Sequence, residues 1–253
     1  MTNREANSSV SADSTQTIGH LFRTPITVRG LRWLPVTQAI TWWLMLRVLN
    51  RHRPQRNPSQ RRLVGFLTMV VTLGSEWCHN LAHVFAANWI GKPMDEFRII
   101  AGMPRCVYYD LNDPHVRPTD HMLRALGGPL FNLAMLPPAA LIRRSTTPGS
   151  IGHDVAAALW GSNLFLSTVS LLPIPGIDGG PLLKWGLVRR GQSIEAADRA
   201  VRAVNGPVSG LLAIGALLAL ARRRSWLGGL AGALAMVSFA VFVGWIKEEE
   251  IQF

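Results

Sequence analysis

Six long apolar stretches decide the solvent in which this chain can fold. They run over residues 34–49, 63–90, 123–142, 155–174, 207–221 and 226–246. A helix needs about 20 predominantly apolar residues to cross a hydrocarbon layer roughly 30 Å thick. The first and fifth stretches fall short of that and are expected to tilt or to extend into their flanks. The expected fold is an all-α polytopic membrane protein of about six transmembrane helices, placed in the cell membrane. Composition points the same way, with 48% hydrophobic and only 16% charged residues among 253. A single membrane domain over residues 31–253 accounts for these stretches. Residues 1–30 form a polar, Ser/Thr-rich tail that is expected to be disordered. Without an apolar core and a small-residue cleavage site there, no cleavable signal is expected.

The net charge of +11 raises the question of a nucleic-acid partner, and residues 51–62, RHRPQRNPSQRR, are the densest basic segment. No aromatic residue is interleaved there to stack on bases. Basic residues beside membrane helices set topology or meet anionic head groups, so the expected partner is the lipid bilayer and not nucleic acid. The short loops after the first, third and fifth helices are all basic, whereas the longer loops on the other side carry more basic residues in total, so orientation stays open. Cys78 and Cys106 lie far apart and offer no paired metal-ligand spacing.

The second stretch contains EWCHNLAHVFAA, Glu76 to Ala87. At about 100° per residue, Glu76, His79, Asn80 and His83 share one helix stripe, and the two imidazoles can share one cation. Polar side chains at membrane depth are costly, so the four need a shared partner, a cavity or a metal. From this helix alone, a polar stripe bonded to neighbouring helices explains them equally well. Two later segments shift the balance. LGGPLFN places Asn132 one turn after Gly128, where a helix backbone can approach closely. LLPIPGIDGG places Asp178 where a membrane helix is broken, an arrangement tolerated where backbone lines a cavity. Two histidines and a carboxylate make a three-ligand zinc set with the fourth position open, as in catalytic sites. Such ligands would accept other divalent transition ions as well.

HxxxH in an early helix, GGPLFN in the next and LLPIPGIDGG after that resemble, in order and spacing, the site-2 protease family of intramembrane zinc metalloproteases. The resemblance covers residues 63–187, a three-helix metalloprotease-like core. It implies His79, His83 and Asp178 as ligands of one Zn2+ per chain, Asn132 as the membrane-embedded asparagine, and a transmembrane protein or peptide as substrate. The chain departs from the family at two places. The family pattern is HExxH, whose glutamate takes a proton from the attacking water and passes it to the leaving amine; here that place holds Asn80. Asparagine can orient a water but cannot act as its base. Ser170 stands where the family often has an asparagine before LLP.

Glu76 is the carboxylate nearest on the same stripe. Helix side chains lean toward the N-terminus, which carries Glu76 away from Asn80, so a supporting role at the metal, as ligand or as acceptor fixing the His79 tautomer, is favoured over a relocated base. Asp110, Asp113, His115, Asp120 and His121 crowd the following connection; ordinary loop roles are expected of them, with a base or gate as the alternative. His153 and Asp154 read as capping or interfacial residues. Two functions follow: a zinc-dependent intramembrane protease with a rearranged acid-base group, or a catalytically inactive homologue that binds membrane proteins as a regulator.

Overall fold

The computed structural model describes residues 15–113 and 115–246. Each of the six apolar stretches forms a helix: α1 (Leu34–His52), α2 (Pro58–Trp89), α3 (Pro118–Ser145), α4 (Ile151–Val169), α6 (Ile194–Ala221) and α7 (Ser225–Val243). A short α5 (Gly179–Arg189) follows the Pro-rich break. Local chemistry sets the boundaries. Asn57 caps α2, its side chain accepting from the Ser59 amide with Pro58 at the first position. Ser150 and Ser193 cap α4 and α6 in the same way, and left-handed Gly244 ends α7.

Among the described residues three helices, α3, α6 and α7, are long and apolar enough by length and composition to cross a membrane, fewer than the six expected crossings. Polar side chains dilute the others: α1 carries Arg47 and Arg51, α2 begins with Arg61 and Arg62 and then holds the polar stripe, and α4 includes Asp154, Ser162 and Asn163. Nor is the chain all-α. β1 (Gln16–Leu21), β2 (Thr24–Arg29), β3 (Glu96–Ile100) and β4 (Met103–Val107) make one sheet in the order β1-β2-β3-β4. The first two strands lie within the segment read as a disordered tail, of which residues 1–14 fall outside the described residues. The strands are short and interrupted by polar or charged residues, so they escape a search for long apolar runs.

β2 pairs parallel to β3, and both outer pairs are antiparallel. Between β2 and β3 the chain crosses through α1 and α2, which brings the sheet against the second half of α2. The core there consists of Val84, Ala87, Met94 and Phe97, joined by Ile26 and Trp77. A buried charge cluster fastens β2 to β3. Thr27 donates to Glu96 at 2.6 Å, Arg98 donates to both Glu96 oxygens at 3.0 Å, and the Tyr109 hydroxyl joins them. The Arg98 guanidinium holds the Glu96 carboxyl below its ordinary pKa. At the β3–β4 turn, Ala101 and Gly102 both have positive φ, as a two-residue hairpin requires. Thr37 of α1 donates to the Ala101 carbonyl and Trp77 of α2 to that of Gly102, so β4 is held beside the polar stripe.

Candidate metal centre

α2 presents His79 and His83 side by side, and the break after α4 delivers Asp178. His79 Nε2 and His83 Nε2 lie 3.1 Å apart, His79 Nε2 is 3.3 Å from Asp178 Oδ2, and His83 Nε2 is 3.1 Å from Asp178 Oδ1. Ligands bound tetrahedrally to zinc at about 2.0–2.1 Å stand about 3.3 Å from one another, so this triangle has the right edge length.

The hydrogen bonds behind the rings fix what the triangle can hold. His79 Nδ1 meets Asn132 Oδ1 at 2.5 Å, and His83 Nδ1 meets the Arg124 carbonyl at 2.7 Å. Both partners are oxygen acceptors, so both rings carry their proton on Nδ1 and turn the Nε2 lone pair inward. Two lone pairs and a carboxylate then face one point, a repulsive arrangement unless a cation sits among them. Asp178 Oδ2 is buried and accepts no hydrogen bond among the described residues. The donor set therefore fits one zinc ion.

Close backbone approach makes this possible. A Cβ on Gly128 would lie 2.6 Å from His79 Nδ1 and closer still to His83 Nε2, and one on Gly127 would meet the Ala82 carbonyl at 2.8 Å. Gly179 and Gly180, packed on the carbonyls of Leu171, Leu172 and Ile174, allow the turn that carries Asp178. Asn132 is itself positioned: its amide nitrogen donates to Asn163 at 2.8 Å, and Asn163 donates to the Leu159 carbonyl and to Ser75. Asn163 and Ser75 were missed in the sequence, though a buried asparagine in an apolar stretch was the available signal.

No family model matches the chain. In a comparison with curated proteins it is 29% identical over 141 residues to a protein of Methanocaldococcus jannaschii described as a "putative zinc metalloprotease", covering 49% of this chain and 72% of that one. Among solved structures it resembles the site-2 protease from Methanocaldococcus jannaschii with a TM-score of 0.55 and 14% identity, over 90% of this chain and 95% of that one. The chain is therefore similar in sequence to a putative zinc metalloprotease and shares the fold of a site-2 protease.

The remaining polar residues can be placed around the three ligands. Asn80, 8% exposed, donates from Nδ2 to the Glu76 carbonyl at 3.0 Å and to Glu76 Oε1 at 3.2 Å. Its Oδ1 accepts from the Cys106 thiol of β4 at 3.6 Å, and burial pushes that thiol's pKa up, so it stays a donor. The tautomer-fixing place considered for Glu76 is taken by Asn132, and Glu76 stands outside the three-ligand cluster, held by Asn80 instead. Ser170 turns back to the Leu166 carbonyl at 2.5 Å.

A cavity of about 450 Å3 joins these groups, with the ligands, Glu76, Asn80, Cys106, Asp110 and His121 on its walls. Of the five polar residues expected in the connection before α3, Asp120 and His121 fall in the first turn of α3 itself, and only Asp110 and His121 line the cavity. Asp120 instead pairs with Arg117. His121 stacks flat on Trp185, ring centroids 3.8 Å apart, with its Nε2 buried and without a hydrogen-bond partner among the described residues. Asp154 forms an ion pair with Arg53 and Arg56, and His153 supplies the amide that Ser150 caps, far from the metal centre in role.

Removing the Asn132 amide is expected to free the His79 ring without removing a ligand. Asn132→Ala should weaken zinc binding by about 10–100-fold, read by competition with a chromogenic chelator, with the fold retained in circular dichroism.

Proposed function

We propose that this chain is a zinc-dependent intramembrane protease that hydrolyses peptide bonds within membrane-embedded segments, as a multi-pass protein of the cell membrane. The observation that carries this is the pair of imidazoles, each locked with Nδ1 protonated, whose Nε2 lone pairs converge with a carboxylate on one point. When bound, zinc would polarise a peptide carbonyl and acidify water so that attack proceeds near neutral pH.

The chain's own residues supply the rest. Asn80 orients water through its amide but accepts no proton. Glu76 has one oxygen taken by Asn80, and its other oxygen is left to receive a proton from the attacking water and return it to the leaving amine. Because Glu76 leans toward the start of α2, this transfer runs through an intervening water, and the enzyme is slow. Among the described residues no strand pairs with the outer edge of β4, while Pro104 and Cys106 of β4 line the cavity. An extended substrate backbone can hydrogen-bond along that edge and reach the metal.

Elemental analysis of detergent-purified protein tests this reading. Wild type is expected to carry about one zinc per chain, and His79→Ala, His83→Ala and Asp178→Ala close to none. Metal-free wild type, prepared without chelators, would overturn it. Glu76→Gln should keep the zinc and lose most of the residual cleavage of a membrane-embedded peptide. One observation favours the second reading, an inactive homologue that binds membrane proteins: the Asn80 amide is committed on both sides, to Glu76 and to Cys106, as a structural bridge would be.

A further inference from the structure

The arginine-rich segment takes no part in the metal centre, and the fold shows where it gathers. α1, α3 and α6 end, and α2, α4 and α7 begin, at one end of the bundle. Arg53 and Arg56 reach Asp154 at 3.1 and 2.7 Å, Arg56 also donates to the Gly149 carbonyl at 2.5 Å, and Arg51 donates to Ser225 at 2.7 Å. Five arginines in residues 51–62, two at 143–144 and three at 222–224 make ten, against one carboxylate among the described residues, Asp154, already shared by two of them. Arginines in a last helical turn offset the negative end of the helix dipole. Three helix N-termini meet three C-termini here, so the dipoles largely cancel and the arginine charge stands.

Between the end of α3 and the start of α4 lies a cavity of about 440 Å3 walled by Arg143, Arg144, Thr146, His153 and Trp160. The Arg143 guanidinium sits over the Trp160 ring, 5.7 Å from its centroid. Arg144 is exposed and has no carboxylate partner among the described residues. Beside them on α3, Leu141 is 69% exposed. Setting membrane topology requires charge alone; it does not require a notch with an aromatic wall and an apolar flank.

We propose that this notch binds the head group of an anionic phospholipid. The Arg143 and Arg144 forks take the phosphodiester oxygens, the Trp160 ring backs the Arg143 guanidinium, and an acyl chain runs down past Leu141. A lipid, not a free phosphate, is the occupant because the charged notch opens onto an apolar helix face.

Native mass spectrometry of the full chain in neutral detergent, titrated with phosphatidylglycerol or phosphatidylcholine of the same acyl chains, tests this. Wild type should retain phosphatidylglycerol preferentially. Arg143→Gln/Arg144→Gln should bind it more weakly by about fivefold for each arginine removed. Arg189→Gln/Arg190→Gln, an equally exposed pair at the opposite end, should leave it unchanged, and Arg143→Lys/Arg144→Lys should retain part of the preference. Melting temperatures in detergent alone show whether each variant is folded. Equal retention of the two lipids, equal loss in the Arg189/Arg190 variant, or displacement of the lipid by inorganic phosphate at equal concentration would overturn the proposal.

Discussion

Asn80→Glu is expected to raise the rate of peptide-bond cleavage by about 100- to 10,000-fold, the range by which a positioned general base accelerates proton transfer. Asn80 stands one residue after His79, on the cavity wall that also carries the ligands. A carboxylate there, one methylene longer, projects into the cavity toward the attacking water. The substitution also ends the Asn80–Glu76 hydrogen bond and sets two carboxylates one turn apart, where they repel each other. Asn80→Glu/Glu76→Gln removes that conflict and should be the more active of the two at pH 7. The measurement is release of a fluorescent product from a membrane-embedded peptide in proteoliposomes, with zinc content recorded in parallel. Zinc-loaded variants that both fail to cleave would exclude proteolysis as the chain's chemistry and leave the regulator reading.

Gly128→Ala is expected to empty the metal centre. The new methyl would overlap the His79 and His83 rings, which cannot retreat without breaking the bonds from their Nδ1 atoms to Asn132 and the Arg124 carbonyl. Overpacking of this kind costs about 1–3 kcal/mol, offset in part by roughly 1 kcal/mol of helix propensity gained over glycine. The chain should therefore stay folded while its zinc falls from about one per chain to near none. Gly161→Ala in α4, where nothing lies within 4 Å of the added methyl, is the matched control and should keep full zinc. Full zinc in Gly128→Ala would show that α2 and α3 can separate, and that their close approach is not what builds the site.

Much of the site was legible in the chain because its signals are local. His79 and His83 are one turn apart, Gly128 and Asn132 are one turn apart, and Asp178 follows a break that only Pro and Gly could make. The helices were legible for the same reason, since each is a continuous apolar run. The sheet was not. Its strands are five or six residues long, broken by polar or charged residues, and paired across 66 residues of intervening chain between β2 and β3. Nor were the roles of Glu76 and Asn132 readable. Both lie on suitable stripes, and which one reaches His79 depends on how α3 sits against α2.

By itself the sequence determined which segments are helices, which three side chains can ligate a metal, and that Asn80 is no base. Each of these follows from the properties of single residues and from spacing along one helix. Only the tertiary structure decided that the three ligands converge, that Asn132 and the Arg124 carbonyl turn both imidazoles inward, and that Glu76 is held by Asn80. Those facts depend on the distance between helices, set by where Gly127 and Gly128 let two backbones touch, and no pattern within one segment encodes that distance.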